Sequence, residues 1–328
     1  MVLQIHSSSK DSRVNHCGAL FLCTVLIVLG MSVFSPAAAM EQRTFASPEK
    51  ATKAVVEALK AHDSKALAAI FGPGSEDLIS SGDPVADEAE RDRFIDLYEQ
   101  KYRFEAQGTD KTILCLGNED WPFPIPIVKE AGTWRFDTPE GREELLARRI
   151  GRNELSVIQT CLAYVDAQRE FALKDNIDGG LREYAQKFIS DPGEKNGLYW
   201  KAKEGDEQSP LGPLVAAAQE KGYTGKPSVG EPIPYHGYYY KILKAQGKNA
   251  PGGAYDYVVK GKMIGGFALV AYPAQYGSSG IMTFIVNQDG VVYQKDLGED
   301  TEKLVPKMTL FNPDRSWQRV KENVDQEN

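Results

Sequence analysis

Tyr238-Tyr-Tyr-Lys-Ile-Leu-Lys244, Gly266-Phe-Ala-Leu-Val-Ala-Tyr272, Ile281-Met-Thr-Phe-Ile-Val286 and Val291-Val-Tyr-Gln-Lys295 are four short runs inside one stretch, Tyr238 to Asp296. Each is rich in β-branched and aromatic residues and is bounded by Gly, Pro, Asn or Asp, which predicts an antiparallel meander. Asn287-Gln-Asp-Gly290 predicts a tight hairpin turn with Gly290 at positive φ, and reads as a turn in preference to a calcium loop because spaced carboxylates and a terminal Glu are missing. Lys248 to Ala254 predicts a long turn, Tyr255 to Lys260 an extra strand or excursion, and Pro273 to Gly280 a connection between central strands.

Working outward, Asp137-Thr138-Pro139-Glu140 opens the longest helix, with Thr138 as N-cap and Pro139 in the first turn. Leu146, Ile150, Val157, Cys161, Val165 and Phe171 recur with a period of about 3.6 and form one apolar stripe; Arg148, Arg152, Glu154, Asp166 and Arg169 occupy the other face. This helix is expected to link two domains and to pack on the C-terminal sheet. Gly151 within it costs about 1 kcal/mol against Ala, which predicts a close contact or a bend there. Between helix and meander, Leu214 to Ala218 reads as a short helix, and Gly222, Gly225, Pro227, Gly230 and Pro232 as a loop.

Further upstream, Phe45 to Arg103 reads as mostly helical. One helix starts at Ser47-Pro48, a second runs from Ser64 to Phe71, and a third carries Phe94, Ile95, Leu97 and Tyr98. Lys111 to Gly117 is a strand. Trp121-Pro-Phe-Pro-Ile-Pro-Ile127 is extended because alternate prolines lock φ and remove amide donors, which suits a sheet edge. Val128 to Phe136 completes a hairpin. The fold class is α+β. Its parts are N-terminal helices with an antiparallel hairpin sheet, a long linking helix, and a C-terminal meander packed on a helix. The N-terminal part resembles cystatin-like and nuclear-transport-factor-like folds. The expected divisions are a signal peptide at 1–39, an α+β domain at 40–138, the long helix with the second sheet at 139–312, and a charged tail at 313–328.

The 328 residues carry a formal net charge of −8, with 42% hydrophobic and 26% charged residues. An acidic balance without basic clusters argues against nucleic acid and anionic membrane surfaces as partners. Lys10 and Arg13 precede an apolar run, Ala19 to Val33, which ends in Ser35-Pro36-Ala37-Ala38-Ala39. The run is about 15 residues, short of the roughly 20 of a membrane span, so cleavage after Ala39 and a periplasmic or secreted location are expected. An uncleaved N-terminal anchor is the alternative. Cys115 and Cys161 remain in the mature chain. Export would permit one disulfide, and their apolar surroundings fit two buried thiols equally well.

No zinc, phosphate-loop or nucleophile-elbow motif is present, and no cofactor is expected. Gly277-Ser278-Ser279-Gly280 lacks the Gly-x-Ser-x-Gly spacing and reads as a loop. Tyr235, His236, Tyr238 and Tyr240 put aromatic rings beside a titratable group, as a glycan- or peptide-binding surface does; the bland reading is a strand with Tyr238 and Tyr240 on one side and Tyr239 on the other. Asp296, Glu299 and Asp300 read as a solvated turn.

Arg149-Ile-Gly-Arg-Asn-Glu-Leu155, Tyr164-Val-Asp-Ala-Gln168, Trp134-Arg-Phe-Asp-Thr138, Ala250-Pro-Gly-Gly253, Gly266 to Pro273, and Gly280 to Gly290 running into Asp296-Leu-Gly298 together resemble a bacterial family of exported proteins known as domain of unknown function 2950. The resemblance covers nearly all of the mature chain and implies no activity or catalytic residues. Asn153 to Gly298 is also similar to the globular half of type IV pilin-like proteins, without their prepilin cleavage motif. The expected function is non-catalytic binding or assembly with an envelope protein or surface polymer. The alternative is a hydrolase or isomerase using an N-terminal-domain pocket, with Asp120 or Glu119 as its acid.

Overall fold

The computed structural model describes residues 41–174, 181–203, 205–223 and 233–321. The segment read as a signal peptide and the loop positions Gly225, Pro227, Gly230 and Pro232 lie outside the described residues. Ser47 accepts a hydrogen bond from Lys50 N and Pro48 follows it, so helix α1 (Pro48–Lys60) begins where the sequence predicts. Helices α2 (Ser64–Phe71), α3 (Glu76–Ile79) and α4 (Pro84–Gln100) follow. Asp63 and Asp83 cap α2 and α4 through Ala66 N and Ala86 N.

The first sheet comprises β1 (Tyr102–Ala106), β2 (Lys111–Leu116), β3 (Trp121–Pro122), β4 (Ile127–Glu130) and β5 (Thr133–Phe136), all antiparallel, in the order β1-β2-β4-β5 with β3 on β2. The Pro-rich run is therefore not one edge strand. Trp121–Pro122 pairs opposite Leu116 and Cys115, Ile127 opens β4, and Pro124 and Pro126 between them carry the chain out of the ladder. β1 is an edge strand that the helical reading missed. Val55, Ile70, Leu114, Leu116, Ile127 and Phe136 form the core between this sheet and α1–α2.

Helix α5 (Thr138–Lys174) is about 55 Å long. Thr138 does not cap it; its hydroxyl donates to Phe71 O at 2.6 Å and ties the helix to α2. Gly151 has neither the predicted contact nor a crowding neighbour, whereas a Cβ at Gly141 would lie 2.5 Å from Ile125 Cα. The small residue that a close approach requires is thus ten positions earlier. The later turns of α5 bury Val157, Cys161, Tyr164, Val165 and Ala172. Gln168 is fully buried. Its amide donates to Tyr164 Oη and Ala185 O and accepts from Ala185 N, clamping the returning chain to the helix.

After α6 (Gly212–Glu220) come β6 (Tyr238–Leu243), β7 (Ala245–Gln246), β8 (Tyr255–Asp256), β9 (Val258–Val259), β10 (Lys262–Met263), β11 (Ala268–Pro273), β12 (Met282–Asn287) and β13 (Tyr293–Asp296). Helix α7 (Thr301–Leu304), a 3-10 turn (Val305–Lys307), β14 (Leu310–Phe311) and β15 (Gln318–Arg319) complete the chain. The second sheet has the order β15-β13-β12-β11-β6 and is antiparallel, so the four predicted runs pair as a meander. Part of the segment read as a tail is the edge strand β15. The Asn287–Gly290 turn forms as predicted, with Gly290 at φ 76°. Almost every residue of β11 and β12 is buried on both faces. None of the helices among the described residues is long and apolar enough to cross a membrane.

Candidate functional site

A cavity of about 550 Å³ opens where α4 crosses over the first sheet and the start of α5. Its floor is Val55, Leu67, Phe71, Phe123 and Ile125; Phe94 and Leu97 of α4 and Leu145 of α5 form the walls. α4 has 17 residues and not one is fully buried; Phe94, Leu97 and Tyr98 pack against the edge of the first core, with the Phe94 and Phe123 rings 5.3 Å apart, and Phe94 and Leu97 also border this space.

The mouth is cationic. Arg91 and Arg93 of α4 and Arg148, Arg149 and Arg152 of α5 line it, against the carboxylates Asp87 and Glu90. Arg149 is fixed: it donates to Asp77 O, Leu78 O and Ser278 Oγ, and burial pushes its pKa down from the ordinary guanidinium value. Arg148 pairs with Glu144 at 2.7 Å and stands over the Trp121 ring. Arg152 pairs with Glu90 at 2.9 Å. Asp87 is consumed by the Ser80–Ser81 turn, accepting from Ser81 N, Ser81 Oγ and Ser80 Oγ. Arg91 Nε is buried with no hydrogen-bond partner among the described residues.

Beside the cavity, the 149–154 segment of α5 joins the N-terminal helices to the second sheet. Asn153 donates to Ser279 O, and the Glu154 carboxylate accepts from Ile281 N and Met282 N. Buried Asp83 accepts from Gly237 N at 2.8 Å and Tyr223 Oη at 2.9 Å while capping α4. Gly237 is required here, since a Cβ would sit 2.6 Å from Asn153 Nδ2 and its φ is 72°. The Arg-Asn-Glu run is therefore a structural clasp.

The predicted aromatic surface divides. Tyr235, His236 and Tyr240 gather with Tyr223: the Tyr235 and His236 rings are 4.3 Å apart, Tyr223 and Tyr235 are 5.0 Å apart, and Tyr240 Oη donates to Tyr235 O. Tyr238 belongs to the core and not to a surface. It is fully buried and donates to Met282 O; Tyr240, two residues on along the same face of β6, packs against the same core and reaches Tyr235 through its hydroxyl, as the strand's alternation predicts. Burial, with the nearby Lys221 ammonium, holds the His236 imidazole down at about 4. His236 N donates to Tyr223 Oη, which links this group to the Asp83 clasp.

The other candidates lie elsewhere. Asp120 pairs with Lys101 and Arg103, is held below the usual carboxylate range chiefly by Lys101, and, like Glu119, does not line the cavity. Cys115 and Cys161 are buried free thiols and not a disulfide, since one belongs to β2 of the first sheet and the other to the face of α5 that packs on the second. Burial pushes the Cys161 thiol up to about 12. Ser278 and Ser279 bond Asp77 O and Gln275 and brace their loop. Asp296 accepts from Tyr276 Oη and Gly298 N, and Asp300 pairs with Lys303. Among the described residues no three His, Cys, Asp or Glu side chains group as metal ligands.

Sequence reasoning passed over Arg91 and Arg93, met Arg149 only within a motif of the family resemblance, and placed Arg148 and Arg152 on the face of α5 opposite its apolar stripe. The available signal was arginines beside apolar residues on both α4 and α5, with Arg148, Arg149 and Arg152 of α5 at i, i+3 and i, i+4 spacing.

Fold and site define an α+β protein with an apolar pocket beneath a guanidinium-lined mouth. The family model described as Protein of unknown function (DUF2950) matches residues 42–320, and the chain belongs to that family. Neither a curated protein nor a solved structure matches it.

Proposed function

We propose that this is an exported envelope protein that acts by binding, with the cavity under α4 as its site. The lining of that cavity carries the reading. Its interior is apolar, and its polar groups are guanidiniums and two carboxylates already engaged, one by the Ser80–Ser81 turn and one by Arg152. A space of about 550 Å³ falls in the range of ligand sites. No His, Cys, Ser, Thr, Tyr or Lys lines it among the described residues, so it offers little for general acid–base or nucleophilic work near neutral pH. The hydrolase or isomerase alternative loses its named acids, which lie outside the pocket. The N-terminal leader supports export. The sequence resemblance of the N-terminal part to pocket-forming nuclear-transport-factor-like folds agrees with the pocket reading by analogy, as the resemblance of Asn153 to Gly298 to pilin-like proteins agrees with an envelope role.

Titration of the purified chain with Nile red, a neutral apolar dye, tests this. One saturable site is expected, lost in Leu145→Trp, which fills the cavity, while the circular dichroism stays unchanged. Absence of saturable binding, or binding that survives the substitution, overturns it.

A further inference from the structure

We infer that the pocket's ligand is a single-chain amphiphile with an anionic oxygen head, its chain in the cavity and its head at Arg91 and Arg93. This rests on the binding reading above and specifies its ligand class. Three observations carry it.

The first is the division of the lining, which is apolar in depth and ionic at the rim. A fully polar ligand would leave Val55, Leu67, Phe71 and Phe123 facing its hydroxyls. A pure hydrocarbon would leave the mouth's charges without counter-charge.

The second is the balance of charge at the mouth. Five guanidiniums meet two carboxylates, in a chain whose formal net charge is −8. Arg148, Arg149 and Arg152 have partners. Arg91 and Arg93 make no hydrogen bond or ion pair to the described residues, and the buried Nε of Arg91 is orphaned. A buried charged donor without a partner is destabilising, so the Arg91 Nε is retained where something else satisfies it, and exposed Arg93 is free to meet the same group. The planar guanidinium fork matches carboxylate and phosphate oxygens two at a time.

The third is size. At about 30 Å³ per water-sized group, the cavity holds roughly 18 non-hydrogen groups. That accommodates one long acyl chain, with a head of any size left at the open mouth, and is too small for both chains of a two-chain lipid.

The probes are palmitic acid, palmitoyl lysophosphatidic acid, hexadecanol and hexadecylamine, each competing against Nile red below its micelle concentration. Both anions are expected to displace the dye at about tenfold lower concentration than the alcohol. The tighter anion identifies the head as carboxylate or phosphate. The double variant Arg91→Gln, Arg93→Gln is expected to lose that preference and keep the alcohol's affinity, since neither residue is among the apolar side chains that would hold the chain. Equal binding of anion and alcohol, tighter binding of the amine, or a preference that survives the double variant overturns the head-group assignment and leaves the pocket reading standing. Failure of all four probes and of the dye overturns both.

Discussion

The two sheets of this protein are used differently. In the second, β11 and β12 are buried on both faces, with Phe284, Ile285, Val270 and Leu269 packed between α5 and the C-terminal segment. In the first, α1 and α2 pack on part of the sheet, and the rest is covered by α4, a helix with no fully buried residue, beside a cavity. Native interiors are close-packed, so a void of that size between two layers is the exception to explain. One region keeps its shape through packing and the other leaves part of its interior for a ligand. The clasp of Arg149, Asn153, Glu154 and Asp83 holds the second against the first.

Truncating one aromatic ring in each region separates them most widely. Phe284→Ala, in the solid region, is expected to cost about 3–5 kcal/mol, whereas Phe94→Ala, facing the cavity, costs about 1–2 kcal/mol. Urea unfolding of both variants checks this, and equal losses would mean that α4 packs as tightly as β12. Gly141→Ala comes next. Its Cβ would meet the Ile125 backbone at 2.5 Å, which cannot swing aside, so a loss of about 2–3 kcal/mol is expected in the same assay.

The clasp also makes stability depend on pH. Burial and Lys221 hold His236 at about 4 against an ordinary 6.5. The unfolded chain therefore takes up the proton first as pH falls. The neutral ring's contribution is complete above about pH 6.5 and declines toward pH 4. The expected loss is about 1–2 kcal/mol, below the full shift because the ring is partly exposed. Melting temperatures across that interval should fall less in His236→Asn, which tolerates the positive φ of 53° at this site. The smallest change has the opposite sign. Gly151→Ala, in open space on α5, should stabilise by about 1 kcal/mol.

The second sheet was legible because its strands are bounded by turn residues, are rich in β-branched and aromatic residues, and at its centre, in β11 and β12, are buried deeply enough to be mostly apolar. β1 was not, since Tyr102–Ala106 is an edge strand with Arg103 and Glu105 inside it, directly after a helix. Gly151 and Gly141 look alike in sequence, and only the approach of Ile125 tells them apart. The pocket was hidden for a related reason. Arg148 and Arg152 have the spacing of a solvated helix face, and only the crossing of α4 over α5 brings them to the mouth that Arg91 and Arg93 share. The run around Asn153 and Glu154 stood out in the sequence, yet its side chains bond the backbone of the 279–282 loop and not a ligand.

Native mass spectrometry of the chain purified from the cells that express it tests the central claim most directly. A chain carrying one small-molecule adduct, absent from Leu145→Trp prepared in parallel, is the predicted result. A bare mass for both proteins, or the same adduct on both, would contradict a ligand pocket beneath α4.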